Sequence, residues 1–142
     1  MTSTIRPVAL GLVRRGDEIL VFDAYDSVKR ERFHRLLGGG VEFGERAEDA
    51  VARELREETG AEVRVGRHLG VLENLFTFEG KPWHEIVYVF EAELDDPTLY
   101  ERDAFEIVET IDGRDVRVPV LWVDPDRLDA PLYPEGVRDL IG

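Results

Sequence analysis

Residues 8–13 (VALGLV) and 18–23 (EILVFD) are short apolar runs separated by Arg-Arg-Gly-Asp. Two such runs around a Gly-Asp pair predict a β-hairpin. Residues 25–35 are polar and basic and read as a loop leading into a short strand. Leu36-Leu37 then runs into Gly38-Gly39-Gly40, a segment that reads as neither helix nor strand interior. From residue 45 the period changes. Ala47, Ala50, Val51 and Leu55 recur at spacings of three and four, which predicts an amphipathic helix over 45–59 with Gly60 as its stop. Residues 63–65 and 69–78 are strand-like, 79–82 form a turn, and 86–94 (IVYVFEAEL) carry the strongest strand pattern. Residues 95–114 are acidic and fit no single period. Residues 116–123 read as a strand in which Pro119 implies an edge or a bulge. Short helices are predicted over 125–129 and in the final PEGVRDLI, with Pro134 near the start of the second.

No repeat, linker or low-complexity segment interrupts this order, and 142 residues suit one domain spanning 1–142. Strands dominate around one long central helix. The order predicts an α+β or α/β fold, a mixed sheet with helices packed on it. A hydrophobic content of 43% is enough for a core and argues against disorder. The absence of cysteine excludes a disulfide scaffold, a zinc–thiolate site and a thiol nucleophile, and fits a reducing compartment. The first apolar run is too short for a secretory leader, and no stretch has the length of a membrane span, so a soluble cytoplasmic protein is expected. The net charge of −13 opposes binding to nucleic acid or to an anionic membrane. It also means that an anionic substrate would need a local cation, although acidic surface serves solubility as well.

The candidate chemistry lies in the central helix. Residues 53–58 read Arg-Glu-Leu-Arg-Glu-Glu. Helical spacing puts Glu54, Glu57 and Glu58 at neighbouring positions on one side. Clustered carboxylates repel; Arg53, four residues before Glu57, relieves part of that, and Mg²⁺ or Mn²⁺, which prefer oxygen ligands, would relieve more. A solvated acidic face laced with Arg–Glu pairs has the same composition. The glycines preceding the helix change the balance, because they let backbone carbonyls and amides approach a ligand without interference from Cβ.

Together the two halves make one pattern. Five residues separate Gly39 from Glu45 and seven more precede Arg53; Glu54, Leu55, Glu57, Glu58 and Gly60 follow in fixed register. This resembles the Nudix box, GX5EX7REUXEEXGU, over residues 39–61, with Ala61 where the family usually has a larger aliphatic residue. The flanking segments are compatible with a Nudix-type mixed β-sheet sandwiched between helices. The resemblance implies hydrolysis of the diphosphate linkage in a nucleoside diphosphate linked to another moiety: a nucleoside triphosphate, a dinucleoside polyphosphate or a nucleotide sugar. It implies Mg²⁺, with Mn²⁺ as a substitute, held by Glu54, Glu57, Glu58 and the Gly38 carbonyl. Arg53 would orient the glutamates, Glu45 would support the helix start, and Glu54 is the first choice as general base. The family often draws a further ligand or base from beyond the central strands. Among Glu101, Asp103, Glu106 and Glu109, Glu101 and Glu106 are favoured here, beside the alternative of a solvated acidic loop.

Lys29, Arg30, Arg32, His34 and Arg35 form a basic cluster before the glycines. Arg35 is the candidate for substrate phosphate, with local ion pairing as the competing role. Phe76, Phe78 and Trp83 are candidates for stacking on a base; core packing is the competing role. The run ENLFTFEGKPWHEIVYVFEAEL also resembles a stretch recurring in bacterial Nudix proteins of unassigned substrate. ADP-ribose-specific members usually carry a proline some fifteen residues beyond the box, and residues 72–80 contain none. The partner implied is a nucleotide-type small molecule. Dimers are common in the family, but no feature of the sequence marks an interface. A nucleotide-binding or regulatory module that does not turn over is the alternative, and retention of every box glutamate speaks against it.

Overall fold

The structure, a computed structural model, describes residues 3–111 and 113–142. In chain order the elements are β1 (Ile5–Leu12), β2 (Arg14–Arg15), β3 (Glu18–Asp26), β4 (Glu31–Gly40), α1 (Ala47–Thr59), β5 (Val63–Phe78), β6 (Lys81–Leu94), α2 (Pro97–Glu101), β7 (Ala104–Ile111), β8 (Arg114–Val123), β9 (Leu132–Tyr133) and α3 (Val137–Ile141). The strands form one mixed sheet in the order β5-β6-β1-β4-β3-β8-β7, with β2 paired to β3 and β9 to β4. β1 runs parallel to β6 and antiparallel to β4. The α+β class expected from the sequence is the one found.

Period-2 alternation divides the apolar residues between two layers. Ala9, Val13, Leu20, Leu37, Phe90 and Ala92 pack with Ala50, Val51 and Leu55 of α1. Val8, Leu10, Leu12, Val21, Leu36, Val87 and Val89 pack with Val137 and Ile141 of α3. The sheet is thus covered by α1 through one layer and by α3 through the other. The tips of the β3–β4 and β5–β6 hairpins are tied together. The Glu79 carboxylate accepts from the Ser27 backbone N–H at 2.8 Å and from the Ser27 hydroxyl, and the buried Asp26 carboxylate accepts from the Val28, Lys29 and Glu79 backbone N–H groups.

Several local expectations change. The Gly16-Asp17 turn joins only the short β2 to β3, while β1 lies between β6 and β4 and does not form a hairpin with β3. Residues 25–35 are largely strand rather than loop: β3 and β4 pair from Val21↔Leu36 to Asp26↔Glu31. The three glycines are also strand, with Gly38, Gly39 and Gly40 opposite Leu10, Ala9 and Val8. Helix α1 begins two residues later than predicted. Gly60 ends it as predicted, at φ 78° with its N–H donating to the Arg56 carbonyl at 2.8 Å. Residues 63–78 make one strand, irregular between Val65 and Gly70, and the turn predicted over 79–82 shrinks because Lys81 and Pro82 already belong to β6. The acidic stretch after residue 94 becomes α2 and β7. In β8, Val120 to Val123 pair with β3 while β7 pairs on the other side, so this segment is interior. Pro119 sits one residue beyond the β3 pairing, where its missing N–H costs no ladder bond on that side. Residues 125–129 form turns, not a helix.

Candidate functional site

The glycine strand and α1 are fitted to each other. A Cβ on Gly39 would lie 2.5 Å from the Glu54 carboxyl carbon, so the Glu54 head rests directly on the glycine backbone. A Cβ on Gly38 would lie 2.1 Å from the Ala9 carbonyl oxygen, and Gly38 has φ +147°. The glycines therefore remain in the sheet because the helix carboxylate and β1 occupy the space that side chains would need.

Arg53 ties the loop, strand and helix together. Its Nε and Nη2 donate to both oxygens of Glu45, at 2.8 and 2.9 Å, and Nη2 also donates to the Gly40 carbonyl at 3.0 Å. Nη1 donates to Glu54 at 3.0 Å and reaches Glu57 at 3.4 Å. This paired geometry holds the Glu45 carboxyl at a pKa of about 2, the Arg53 hydrogen bonds being the main cause, and raises that of Arg53.

The two inner carboxylates are placed differently. Burial raises the pKa of Glu54, with Glu57 and Glu109 adding to the rise and Arg53 opposing it. Glu58 is 9% exposed, and among the described residues neither of its carboxylate oxygens has a hydrogen-bond partner. Burial raises its pKa well above the usual carboxylate range; the neighbouring Glu109 and Glu54 carboxylates push it further, while the nearby Gly38 backbone opposes them. Glu57 lies on the outer side of the cluster with 57% of its side chain exposed.

Glu109 is the acid that the sequence offered among four candidates without favouring it. Phe105 and Ile107 of β7 turn toward the α1 layer, and Glu109 follows on the same alternation. Glu101 is exposed at the end of α2, and Glu106, on the opposite face of β7, lies 3.7 Å from Arg117 with 57% of its side chain exposed. The structure thus brings Glu109, rather than Glu101 or Glu106, to the carboxylates, and Asp103 lies at 3.3 Å from Arg15. The signal for Glu109 was an acid at the third inward position of an alternating strand.

The candidate substrate-contact residues and their basic neighbours have protein partners. Arg35 donates to Glu85 at 2.8 Å; Arg32 bridges Asp23 and Asp129; His34 is fully buried between those two acids. Phe76 and Trp83 stack across the β5–β6 ladder, and Phe78 meets Phe33 edge-on.

Among the described residues no three Asp, Glu or His side chains are drawn into a ready cation cage. The fit to a cation lies instead in the donor set: acceptor-only oxygens of Glu58, unpartnered and pressed by two further carboxylates, in a setting where a positive charge removes the penalty. No helix among the described residues is long and apolar enough to cross a membrane.

Comparison with known proteins places these features in context. The NUDIX domain family model matches residues 4–140. The NAD-capped RNA hydrolase NudC of Escherichia coli is 35% identical over 130 residues, which are 92% of this chain and 42% of that protein. This chain therefore spans less than half the length of the curated relatives it matches. Among solved structures, a MutT protein from Bacillus halodurans superposes with a TM-score of 0.62 at 21% identity, covering 97% of this chain and 81% of that one. An ADP-ribose pyrophosphatase from Streptococcus suis gives 0.60 at 18% identity, covering 97% and 88%. At such identities these structures show a shared fold.

Proposed function

We propose that this chain, which belongs to the Nudix family, hydrolyses the diphosphate linkage of a nucleoside diphosphate joined to another moiety, with a divalent metal as cofactor. The observation that carries the reading is the buried Glu58 carboxylate without a partner, beside the desolvated Glu54 and the incoming Glu109. A purely structural role would leave that charge pressed against its neighbours at a cost in stability and no return.

Glu54, Glu57, Glu58 and the Gly38 carbonyl would hold Mg²⁺, or Mn²⁺ in its place, and Glu109 is added to that set from the structure. When bound, the metal offsets phosphate charge and makes water a better nucleophile. Arg53 orients Glu54 through the 3.0 Å hydrogen bond and locks the glutamate-bearing helix to the Gly40 carbonyl. Glu54 serves as general base: burial raises its proton affinity above that of an exposed glutamate, and Arg53 opposes part of that rise. Glu109 is its rival for that proton. Arg35 donates to Glu85, so a substrate phosphate would compete with that carboxylate for the guanidinium.

The test is ³¹P NMR of products after incubation with Mg²⁺ and a panel of nucleoside triphosphates, dinucleoside polyphosphates and nucleotide sugars. NAD belongs in the panel because of the relatives' name. Cleavage that needs both Mg²⁺ and Glu58, removed as Glu58→Gln, is expected. Tight nucleotide binding with no turnover across the panel would replace the hydrolase by a binding module.

A further inference from the structure

We infer that Arg114, on the hairpin joining β7 to β8, is a substrate-binding residue: it overhangs the carboxylates and takes a substrate phosphate whose charge the metal leaves uncancelled. The inference rests on the hydrolase reading for its place in catalysis and adds to it a cation supplied by the protein. The hairpin extends beyond the sheet. β8 pairs with β3 only from Val120 to Val123, whereas its pairing with β7 continues from Ala104↔Leu121 to Ile111↔Arg114. From the row Glu106↔Pro119 outward, the two strands are therefore a ribbon with no third strand paired to it among the described residues.

Alternation fixes the two faces of this ribbon. On the inward face β7 contributes Phe105, Ile107 and Glu109, and β8 contributes Val120, Val118, Val116 and Arg114. The first members of each series pack into the α1 layer, where Ile107 is 2% and Val118 8% exposed. The series then leaves the core. Val116, opposite Glu109, is 39% exposed, and Arg114 is exposed as well. Side chains that continue a core-facing series are solvated here because the ribbon has run past the layer beneath it. Glu109 marks the place, since its carboxyl lies beside those of Glu58 and Glu54. Arg114 follows on the same face, about 7 Å further along the ribbon.

Charge gives this position a use. Arg53, the cation paired with the carboxylates, is engaged by Glu45, by the Gly40 carbonyl and by Glu54. It could turn to a phosphate only by releasing the helix from the glycine strand. Arg114 has no hydrogen bond or ion pair among the described residues, whereas Arg117, on the outward face, lies 3.7 Å from Glu106. A guanidinium carries five donors in a planar fork that suits the bidentate binding of phosphate. A polyphosphate carries more negative charge than one divalent ion cancels. In a chain of net charge −13, the remainder needs a cation at this place. The competing role for Arg114 is a solvated hairpin end, and the two roles differ in what its removal does to anion binding.

Binding is measured by calorimetric titration with methylenediphosphonate, a diphosphate analogue that is not hydrolysed, in the presence of Mg²⁺. Wild type should bind it saturably. Arg114→Gln should bind at least about tenfold more weakly, the loss expected for a hydrogen bond between charged groups. Arg114→Lys, which keeps the charge and loses the fork, should fall between the two. Arg117→Gln, on the outward face, should bind as wild type does. Titration with Mg²⁺ alone should give the same affinity for wild type and Arg114→Gln, which separates a lost phosphate contact from a displaced Glu109. Wild type that does not bind the analogue, Arg114→Gln that binds it as tightly as wild type, an equal loss in Arg117→Gln, or a parallel loss of Mg²⁺ affinity in Arg114→Gln overturns the inference. Because no turnover is involved, binding that depends on Arg114 in a protein that cleaves nothing loses only the hydrolase reading. Cleavage together with analogue binding indifferent to Arg114 loses only the phosphate contact.

Discussion

Replacing Glu58 by glutamine should stabilise the metal-free protein while destroying its response to metal. Glu58 is buried on α1 with both carboxylate oxygens unpartnered and the Glu54 and Glu109 carboxylates beside it. At neutral pH it must either carry an unpaired buried charge or take up a proton. Glutamine keeps the shape, removes the charge and gains an amide that can donate to Glu109. A buried polar group without a partner costs about 1–3 kcal/mol. For a chain of 142 residues, roughly 2.1 cal/mol/K per residue gives an unfolding entropy near 0.3 kcal/mol/K, so the gain is about 3–10 °C in Tm. The sign with pH follows from linkage. A carboxyl whose folded pKa lies above its unfolded value binds more protons folded than unfolded, so the stability it confers is full below the unfolded pKa and is lost as pH rises through the folded pKa. The advantage of Glu58→Gln should therefore be largest above the folded pKa of Glu58 and shrink as pH falls through it. Calorimetry in EDTA and then with saturating Mg²⁺ reads both halves. Wild type should rise with metal, by about 2.7 kcal/mol at a hundredfold excess over Kd, and overtake the variant, which should not respond. A variant that melts at or below the wild-type temperature in EDTA at neutral pH would refute the claim that this carboxylate is held at a cost.

Further outcomes follow from the same geometry. Gly39→Ala puts a Cβ 2.5 Å from the Glu54 carboxyl carbon and should cut kcat at least about tenfold through displacement of Glu54, read by steady-state kinetics. Gly38→Ala, with φ +147° and the Ala9 carbonyl at 2.1 Å, should instead cost about 2–4 kcal/mol of stability in urea melts. Glu109→Gln should lower metal-dependent kcat about a hundredfold, while Glu101→Gln and Glu106→Gln should stay within about threefold of wild type. Arg53→Lys should lose the paired contact to Glu45 and raise that carboxyl from about 2 toward its ordinary value. Glu45 contributes stability above its unfolded pKa that disappears as pH falls through about 2, so the variant should shed part of the acid stability wild type shows between pH 4.5 and 2.

The sequence made the box legible because its residues are near in the chain: Arg53, Glu54, Glu57 and Glu58 share one helix, and the glycines they rest on precede it directly. The strand pairing was less accessible. Nothing local says that β1 lies between β6 and β4 rather than against β3, since that choice is decided by two apolar layers assembled over the whole chain. The glycines were misread as non-strand because propensity disfavours them there; the close approach of Glu54 and Ala9, which overrides propensity, is a tertiary fact. Glu109 was masked by its acidic neighbours. For Arg35 the choice between phosphate contact and ion pairing stayed open in the sequence because its acidic partner, Glu85, lies fifty residues away.

One pattern nevertheless links the polar residues that matter, and it is readable in retrospect. In α1 the buried positions are Ala50, Val51, Leu55 and then Glu58, so the carboxylate continues the apolar stripe at helical spacing rather than sitting on a solvated face. In β7 the inward series is Phe105, Ile107 and then Glu109. In β6 the series read backward is Val89, Val87 and then Glu85, again buried. Each acid occupies the next core-facing position after an apolar run has ended. Such a residue is desolvated by the element that carries it, yet it stands at the margin of the core, where another group can reach it. Glu58 and Glu109 meet each other there, and Glu85 meets Arg35, Asn74 and Arg6. The ionic pairs on the outer surface, such as Arg64 with Glu93, interrupt no stripe and are worth little by comparison. The distinction between a solvated acid and a desolvated one therefore lies in phase: Glu58, in register with the apolar period of α1, is held out of water, whereas Glu57 beside it in the sequence keeps 57% of its side chain exposed.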